Sequence, residues 1–343
     1  MLLVTLKIMP GNSDITIISD EKLKDKVGDF VLLTGTSNIP LAESIAKFLG
    51  KTVYKPVTKF ADGETRIQIP INIRRGSVVI IQPTCPPDID GSIMELLLMI
   101  DAARRASAGE IIVLLPYFGY ARQDRKDRPR VPVSASLIAN LFQLAGANKI
   151  CTLDIHSDQS QGFVDIPWDN LYGSYCLVPR LEQENLKNLV VASPDKGGVP
   201  IATAYARRLN ADGVAIVYKE RDVNAVNQSE ALDLIGNVQG KTVLLVDDMI
   251  DTARTLVNAA NLLKEKGAKT IWAAATHGVL SADAIKRLND SSIEKVIITD
   301  SIPQPETVTN NSKFEIISVA DLLAEAIQRI ESGDSISEKL IIR

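Results

Sequence analysis

Short apolar runs recur along this chain of 343 residues, and a helical pattern follows each of them. Unbroken apolar runs of this kind are typical of parallel strands that are buried on both faces. Their alternation with helical segments predicts an α/β fold, in which parallel sheets are flanked by helices. The runs are Phe30–Leu33, Val78–Gln82, Ile111–Leu115, Lys149–Leu153, Leu189–Val191, Val214–Val217, Val243–Val246, Ile271–Ala275 and Lys295–Ile298.

The length of the chain predicts two domains, because a single core of this size is uncommon. Pro, Trp, Asn, Tyr and Gly interrupt the alternation between Pro167 and Gly173. We therefore expect an N-terminal domain over residues 29–172 and a C-terminal domain over 173–318. An amphipathic pattern from Val319 to Ile327 predicts a final helix, and we expect segment 319–343 to pack back on the N-terminal domain. Residues 1–28 form an N-terminal extension to which we assign no role.

The composition excludes several classes of protein. The net charge of −4 gives no general basic surface, which argues against a nucleic-acid-binding protein. No apolar run is long enough to span a bilayer, so we expect no membrane association. The three cysteines are widely spaced and form no C-x-x-C pair. Residues 1–28 lack the pattern of a secretion signal, and the expected compartment is the cytoplasm.

The run Val243–Val246 leads directly into a polar turn. Asp247 and Asp248 follow it, then Asp251, Thr252, Ala253, Arg254 and Thr255 precede a helical pattern. At the carboxyl end of a parallel strand, backbone N–H groups and the positive end of the next helix are suited to a phosphate dianion. We expect residues 251–255 to cradle a sugar phosphate and the two preceding carboxylates to bind ribose hydroxyls or a hydrated magnesium ion. The less favoured alternative is an ordinary N-capped turn.

Two other polar clusters are candidates for a ligand site, and the first of them is suited to a nucleotide. Arg122 and Gln123, followed by Asp124, come after the run Ile111–Leu115, and they combine a guanidinium with hydrogen-bonding groups that suit a purine. A solvated charged loop explains this cluster equally well when it is taken alone. The second cluster, with Phe60, Asp62, Gly63 and Glu64, is weak evidence, and a surface turn is its simpler interpretation.

Further polar residues follow other strands. His156 lies beyond Leu153 with Asp154 and Asp158 near it in sequence, which suits a magnesium ligand or a polyphosphate contact. Asp195 stands in the Gly-rich segment Ser193–Gly198, where the backbone can approach a diphosphate. Lys219 and Arg221 begin a polar stretch that we interpret as a mobile loop closing over a phosphoryl group. For His156 the alternative is a structural histidine. For Asp195 it is a plain Gly-rich turn, and for Lys219 and Arg221 it is a solvated charge run. The second histidine, His277, is interpreted as structural.

These clusters, in this order, resemble those of the ribose-phosphate pyrophosphokinase family from about Val31 to Ser337. Neutral stretches such as Gln161-Gly162-Phe163 agree as well. The resemblance implies two type I phosphoribosyltransferase-like domains, ATP and ribose 5-phosphate as substrates, Mg²⁺ as cofactor, and a homo-oligomer, most often a hexamer. It also implies roles for individual positions: ATP binding for Phe60, Asp62, Gly63, Glu64, Arg122, Gln123 and Asp124; magnesium for His156 and Asp195; catalysis for Lys219 and Arg221; and ribose 5-phosphate binding for Asp247, Asp248, Asp251, Thr252, Ala253, Arg254 and Thr255.

The chain departs from the family pattern at Arg254, where glycine is usual, and at Lys196, where a small residue is frequent. We expect Ala253 and Arg254 to start the helix with negative φ angles, so that the turn keeps its backbone path. Two alternatives to a working synthetase remain open. One is a catalytically silent member of the family that regulates an active one, and the other is a phosphoribosyltransferase.

Overall fold

The structure, a computed structural model, describes residues 30–220 and 231–337. All nine predicted runs are strands, so the periodicity argument is confirmed. Within the described residues the helices are α1 (Ile39–Leu49), α2 (Ile89–Arg105), α3 (Ser134–Ala145), α4 (Ser174–Gln183), α5 (Val199–Arg208), α6 (Arg254–Glu265), α7 (Ala284–Asn289), α8 (Glu306–Thr309) and α9 (Ala320–Ser332). The strands are β1 (Phe30–Thr34), β2 (Val53–Tyr54), β3 (Val57–Lys59), β4 (Thr65–Ile67), β5 (Ser77–Ile81), β6 (Glu110–Leu115), β7 (Lys149–Leu153), β8 (Trp168–Leu171), β9 (Leu189–Ser193), β10 (Gly213–Glu220), β11 (Ala231–Ile235), β12 (Thr242–Ile250), β13 (Thr270–Gly278), β14 (Lys295–Thr299) and β15 (Phe314–Ile317).

Two sheets organise the molecule. The first has the order β2-β1-β5-β6-β7-β8, and every pairing in it is parallel. The second has the order β11-β10-β9-β12-β13-β14-β15, and it is parallel except at β10 and β11. Residues 78–81 and 243–246 are buried throughout, as strands covered on both faces should be. The predicted α/β fold of two helix-flanked parallel sheets is confirmed.

Strand β8 is the main element that the periodicity missed. It lies in the segment that we interpreted as an interruption, and it pairs with β7 at the edge of the first sheet. Its aromatic residue Trp168 is buried, and the indole Nε1 donates a hydrogen bond to the Thr152 hydroxyl at 2.9 Å. Helix α4 follows at Ser174, so the proposed boundary at residues 172 and 173 falls between this strand and the next helix. The domain division remains a proposal.

The last described helix returns to the first sheet. Leu322, Leu323 and Ile327 of α9 are buried in one core with Leu41 and Ile45 of α1. This packing follows from the amphipathic pattern, because the helix buries its apolar face against that of a neighbour. No helix among residues 30–220 and 231–337 is long and apolar enough to cross a membrane.

The two sheets turn the carboxyl ends of their strands toward each other. Asp154, directly after β7, accepts a hydrogen bond from Thr276 near the end of β13. At another point of this seam, the Asn38 amide donates to the backbone oxygen of Asp300, which follows β14, at 2.9 Å. The edge of a parallel sheet where strands end is the usual place for a ligand site in an α/β protein. Here two such edges meet, so one crevice receives polar residues from both halves.

Candidate active site

Strand β12 carries two carboxylates into the crevice. The strand continues to Ile250, so Asp247 and Asp248 belong to it, where the apolar run had predicted an end at Val246. Burial, and then the neighbouring charge of Asp248, raise the pKa of Asp247 well above its usual range. Asp248 has the opposite tendency: burial acts to raise its pKa, but the hydrogen bond with His156, the charge of that ring and the hydrogen bond with Asp247 together lower it. Two adjacent half-buried carboxylates of this kind favour a bound cation or hydroxyl donors.

The turn after β12 is held on both sides. Asp251 Oδ2 accepts a hydrogen bond from Arg122 Nη1 at 2.6 Å, and its Oδ1 accepts one from the Ser281 hydroxyl. Burial works against these bonds, but together they lower the pKa of Asp251. Arg287 Nη1 donates to the carbonyl of Thr252 at 2.9 Å. The turn therefore has a fixed backbone and a charged carboxylate before any ligand binds.

The expectation of negative φ at Ala253 is wrong. Ala253 has φ +59° and ψ 4°, in the left-handed region, and only Arg254 begins the helix with the right-handed geometry of α6. The left-handed residue lets the chain turn sharply between strand and helix, at a cost of about 1–2 kcal/mol for a non-glycine residue. Arg254 is exposed at the first position of α6, and Thr255 is exposed beside it.

The N-terminus of α6 is available to an anion. The helix is 12 residues long, and no side chain of the described residues caps its first turn. The first N–H groups of a helix lack intrahelical partners and carry a partial positive charge. This end of the helix directly follows residues 251–253, as the phosphate-cradle hypothesis requires.

A second cradle is formed by the loop after β6. A cavity of about 450 Å³ lies between this loop and His156. The Gln123 amide oxygen accepts a hydrogen bond from the Ser134 hydroxyl at 2.6 Å, which fixes one wall. The charged lining is suited to a polyanion whose remaining part carries hydrogen-bond donors and acceptors. The cavity is lined by Arg122, Gln123, Asp124, Arg125, Asp127, Arg128, Val131, Pro132 and His156.

His156 joins the two halves. Its Nδ1 lies 2.6 Å from Asp248 Oδ2, and this hydrogen bond is the main reason that the pKa of His156 is raised. The carboxylates near it in sequence serve other groups: Asp154 accepts a hydrogen bond from Gly173 N–H at 2.7 Å, and Asp158 accepts one from the Asn170 amide at 3.2 Å. The sequence therefore identified the histidine but not its partner, which is 92 residues away.

The Gly-rich segment before α5 is ordered by Asp195. Its Oδ1 accepts hydrogen bonds from the N–H groups of Gly197 at 2.7 Å and Gly198 at 3.1 Å. A Cβ at Gly198 would lie 2.6 Å from the Ser193 hydroxyl oxygen, so glycine is required for this close approach. Lys196 stands over the Tyr218 ring, with 5.6 Å between its Nζ and the ring centroid.

The two magnesium candidates do not converge on one point. His156 is hydrogen-bonded to Asp248, whereas the Asp195 carboxylate accepts hydrogen bonds from backbone N–H groups of its own turn. In the part of the chain that the structure describes, no three His, Cys, Asp or Glu side chains are arranged to bind a metal ion. The charge of Asp195 nevertheless contributes to raising the pKa of Asp247. An oxygen-rich anionic surface therefore lines this side of the crevice.

The Phe60 cluster lies apart from the crevice. Phe60, Asp62, Gly63 and Glu64 form the turn of the β3–β4 hairpin, and none of them lines the cavity beside Arg122. Gly63 has φ +94°, which requires glycine, and Phe60 is 49% exposed. The Arg66 guanidinium stands 5.6 Å from the Phe60 ring centroid. The interpretation as a surface turn fits this chain taken alone.

Of the candidate catalytic pair, Lys219 lies near the end of β10, where its backbone pairs with Leu232 of β11. Arg221 and the polar stretch to residue 230 lie outside the described residues. Their roles therefore remain predictions.

Sequence reasoning missed several residues that organise the site. Ser281 and Arg287 hold the turn after β12, and Tyr117 packs edge-on against His277 with 5.0 Å between ring centroids. The interpretation of His277 as structural agrees with its 2% exposure. Ser281 and Tyr117 follow strands and His277 lies near the end of one, and that position was the one available signal; Arg287 lies within α7 and carried none.

These features together define an α/β protein of two similar halves, with an uncapped helix N-terminus after a strand and a charged cavity at facing strand ends. The family model for the N-terminal domain of ribose phosphate pyrophosphokinase matches residues 30–146, and that for the phosphoribosyl synthetase-associated domain matches residues 221–341. The ribose-phosphate pyrophosphokinase of Neisseria meningitidis serogroup A is 46% identical over 309 residues, which cover 90% of this chain and 93% of that protein. That of Synechocystis is 48% identical over 307 residues, covering 89% and 91%.

The solved structure of phosphoribosylpyrophosphate synthetase from Mycobacterium smegmatis has the same fold. It superposes with a TM-score of 0.83 at 37% identity, over 89% of this chain and 99% of that chain. The chain belongs to the ribose-phosphate pyrophosphokinase family, as its motifs predicted.

Proposed function

We propose that this protein transfers the β,γ-diphosphoryl group of ATP to the C1 hydroxyl of D-ribose 5-phosphate. The products are 5-phospho-α-D-ribose 1-diphosphate and AMP, and the expected compartment is the cytoplasm. One observation supports this reaction above the others: the cavity beside Arg122 and the turn at Asp251 meet in one crevice, joined by the 2.6 Å bridge between these two residues. A diphosphoryl transfer needs a nucleotide site and a sugar-phosphate site in contact with each other.

The crevice divides between the two substrates. ATP is assigned to Arg122, Gln123 and Asp124, whose charged cavity suits a nucleotide triphosphate. The 5-phosphate is assigned to the turn 251–255 and the N-terminus of α6. Asp247 and Asp248 then face the ribose hydroxyls. In this chemistry the protein aligns the attacking hydroxyl with the phosphorus atom and neutralises charge, so no nucleophilic side chain is required.

The donor set fits Mg²⁺ as the cofactor. Mg²⁺ takes hard oxygen ligands and usually keeps several from water and substrate phosphates, so a protein need supply only one or two. Asp195 and the half-buried carboxylates of β12 offer oxygen atoms, and His156 faces the same crevice from the other half. When bound, the ion would neutralise charge on the triphosphate. We assign His156 and Asp195 as its protein contacts.

Lys219 and Arg221 are proposed to stabilise charge in the transition state. Cationic side chains are suited to this role because they neutralise the charge that develops on the transferred group.

The β3–β4 hairpin is proposed to complete the ATP site of a second subunit. Its turn residues Phe60, Asp62, Gly63 and Glu64 do not reach the cavity of their own chain, and the exposed Phe60 ring is suited to stacking on a base. This assignment requires a homo-oligomer, and we propose the hexamer that the family resemblance implies.

The position of Arg254 favours the interpretation of this protein as a working synthetase over that of a silent regulatory member. Its side chain is exposed at the first helical position, so it does not fill the cradle formed by the preceding residues. A cation beside a phosphate dianion is favourable. We expect Arg254→Gly to retain activity and to shift the apparent ribose 5-phosphate affinity by no more than about tenfold, or roughly 1.4 kcal/mol.

Incubation of the protein with MgATP and ribose 5-phosphate tests the proposal directly. Chromatography should detect AMP and phosphoribosyl diphosphate in equal amounts, and neither when ribose 5-phosphate is omitted. A phosphoribosyltransferase would form no AMP from these substrates. A silent family member would form no product, whereas its Arg254→Gly variant would gain activity.

A further inference from the structure

The seam between the halves contains a buried histidine to which the proposed reaction assigns no role. His277 is 2% exposed, and the pairing of β12 with β13 places it beside Met249, the residue after Asp248. Tyr117, which precedes the Arg122 loop, packs edge-on against the ring. His277 thus contacts both halves at the crevice that holds the candidate residues.

The hydrogen-bond partners of His277 determine its tautomer. Nε2 lies 3.0 Å from the carbonyl oxygen of Leu153 and 3.3 Å from that of Asp154. Since a carbonyl oxygen only accepts, Nε2 must carry the proton. Nδ1 is then an acceptor, and the Ser301 hydroxyl lies 2.9 Å from it. Burial lowers the pKa of His277, which keeps the ring neutral and the arrangement fixed.

The segment that His277 holds is the corner after β7, which leads to His156. Asp154 has φ +38° at this corner, a value that is uncommon for a non-glycine residue. Such a conformation persists only when surrounding contacts impose it. The Leu171 carbonyl accepts a hydrogen bond from Asp154 N–H at 2.8 Å, and the Asn170 amide oxygen accepts one from Ile155 N–H at 3.0 Å. These contacts come from the first half, whereas Thr276, through the Asp154 carboxylate, and His277, through the Leu153 carbonyl, fix the corner relative to the second.

We propose that His277 is a positioning residue: through the carbonyl of Leu153 it sets the corner that carries His156 against β12, where His156 meets Asp248. The inference rests on the proposed function, because it assigns His277 to the site of that reaction. His277 itself touches no substrate. Its loss should therefore act only through the placement of His156.

Two substitutions separate the hydrogen bond from the packing. His277→Gln keeps an N–H group near the position of Nε2, whereas His277→Asn is too short to reach Leu153 but retains an acceptor for Ser301. We expect the Asn variant to lose between about tenfold and a hundredfold in kcat/KM, the range expected for a small misplacement of a reacting group. The Gln variant should recover most of that loss. Ile271→Ala, in the same strand but buried within the second core, serves as the control for general destabilisation.

A kinetic cycle with His156→Ala tests whether the effect passes through His156. In the His156→Ala background, His277→Asn should change kcat/KM by less than about twofold, because coupled residues are not additive. Full additivity would show that His277 acts elsewhere and would overturn the proposal, as would wild-type kcat/KM in a folded His277→Asn protein. If the Asn variant does not fold, Ser301→Ala replaces it in the cycle. It removes the donor that fixes the ring and also an acceptor of the Thr299 hydroxyl, which keeps its hydrogen bond to the Thr276 carbonyl.

Nitrogen NMR of ¹⁵N-histidine-labelled protein supplies a readout that is independent of activity. The chain has 2 histidines, so the His156→Ala variant shows the ring of His277 alone. The expected spectrum is that of a neutral ring protonated at Nε2, and a ring protonated at Nδ1 would contradict the geometry. Failure of the proposed function has a different signature: the wild-type protein would form no AMP, while the NMR result would stand.

Discussion

Gly173, at the start of α4, provides a direct test of the contacts across the seam. Its φ of −63° and ψ of −18° are ordinary for alanine, so its backbone alone would tolerate the substitution. Gly→Ala at such a position stabilises a protein by about 0.4–1 kcal/mol. A Cβ here, however, would lie 2.7 Å from Thr276 Cγ2, and closer still to Thr276 Oγ1. Whether Gly173→Ala raises or lowers the free energy of unfolding therefore depends on whether Thr276 keeps the position that it has in the structure.

We expect Gly173→Ala to be destabilising. Thr276 must move to admit the methyl group, and it then loses its hydrogen bond to the Asp154 carboxylate. A hydrogen bond to a charged group contributes about 1.5–3 kcal/mol. After subtraction of the backbone gain, the net loss is about 0.5–2.6 kcal/mol, or a fall of roughly 1–10 °C in Tm for a unit of about 150–250 residues.

Equilibrium urea unfolding followed by circular dichroism measures this loss. The control is Gly162→Ala, where nothing lies within 4 Å of the new Cβ and stability should be unchanged or slightly higher. Thr276→Ala is destabilising alone, but in the Gly173→Ala background its effect should be much smaller, because the bond is already lost. Equal stability of the Gly173→Ala and Gly162→Ala variants would refute the contact.

The remaining predictions concern catalysis and the ion pairs. Lys219→Ala and Arg221→Ala should each lower turnover by about a hundredfold or more while the protein stays folded, as loss of a transition-state charge stabiliser does; near-normal turnover in both would remove that role. Asp251→Asn should raise the KM for ribose 5-phosphate more than that for ATP, and equal increases in steady-state assays would contradict the division of the crevice. Burial acts to raise the pKa of Glu315, but hydrogen bonds from Lys295 and Arg180 lower it. The ion pairs of Glu315 therefore stabilise the fold fully when the pH is above the ordinary glutamate pKa. That stability is lost as the pH falls through the lowered pKa, and urea unfolding should show Glu315→Gln to be about 1.5 kcal/mol less stable at pH 7, with the difference shrinking in acid.

The strands were predictable from sequence because buried parallel strands leave unbroken apolar runs, as at residues 78–81 and 243–246. Strand β8 was missed because Trp168 and Asn170 are bonded to neighbouring side chains instead of forming an apolar run. A short polar edge strand has the composition of a linker.

The candidate site was predictable as a set of positions but not as a set of contacts. Polar residues after strands identify the crevice edge, since parallel strands end on one side of a sheet. The pairs that join the halves are separated by 92 residues for His156 and Asp248 and by 129 for Arg122 and Asp251, distances in sequence that no local pattern encodes. The left-handed conformation of Ala253 was likewise hidden, because alanine does not signal positive φ as glycine does.

The bridge between Arg122 and Asp251 has a thermodynamic consequence for the two substrates. A polyphosphate that draws the guanidinium away leaves Asp251 without its cation, and a sugar phosphate that engages Asp251 loosens the hold on Arg122. Each ligand thus changes the free energy with which the other binds. By linkage the change is reciprocal, so the same factor must appear in both affinities. The two proposed half-sites are therefore energetically coupled, with this ion pair as one link between them and the His156–Asp248 hydrogen bond as another.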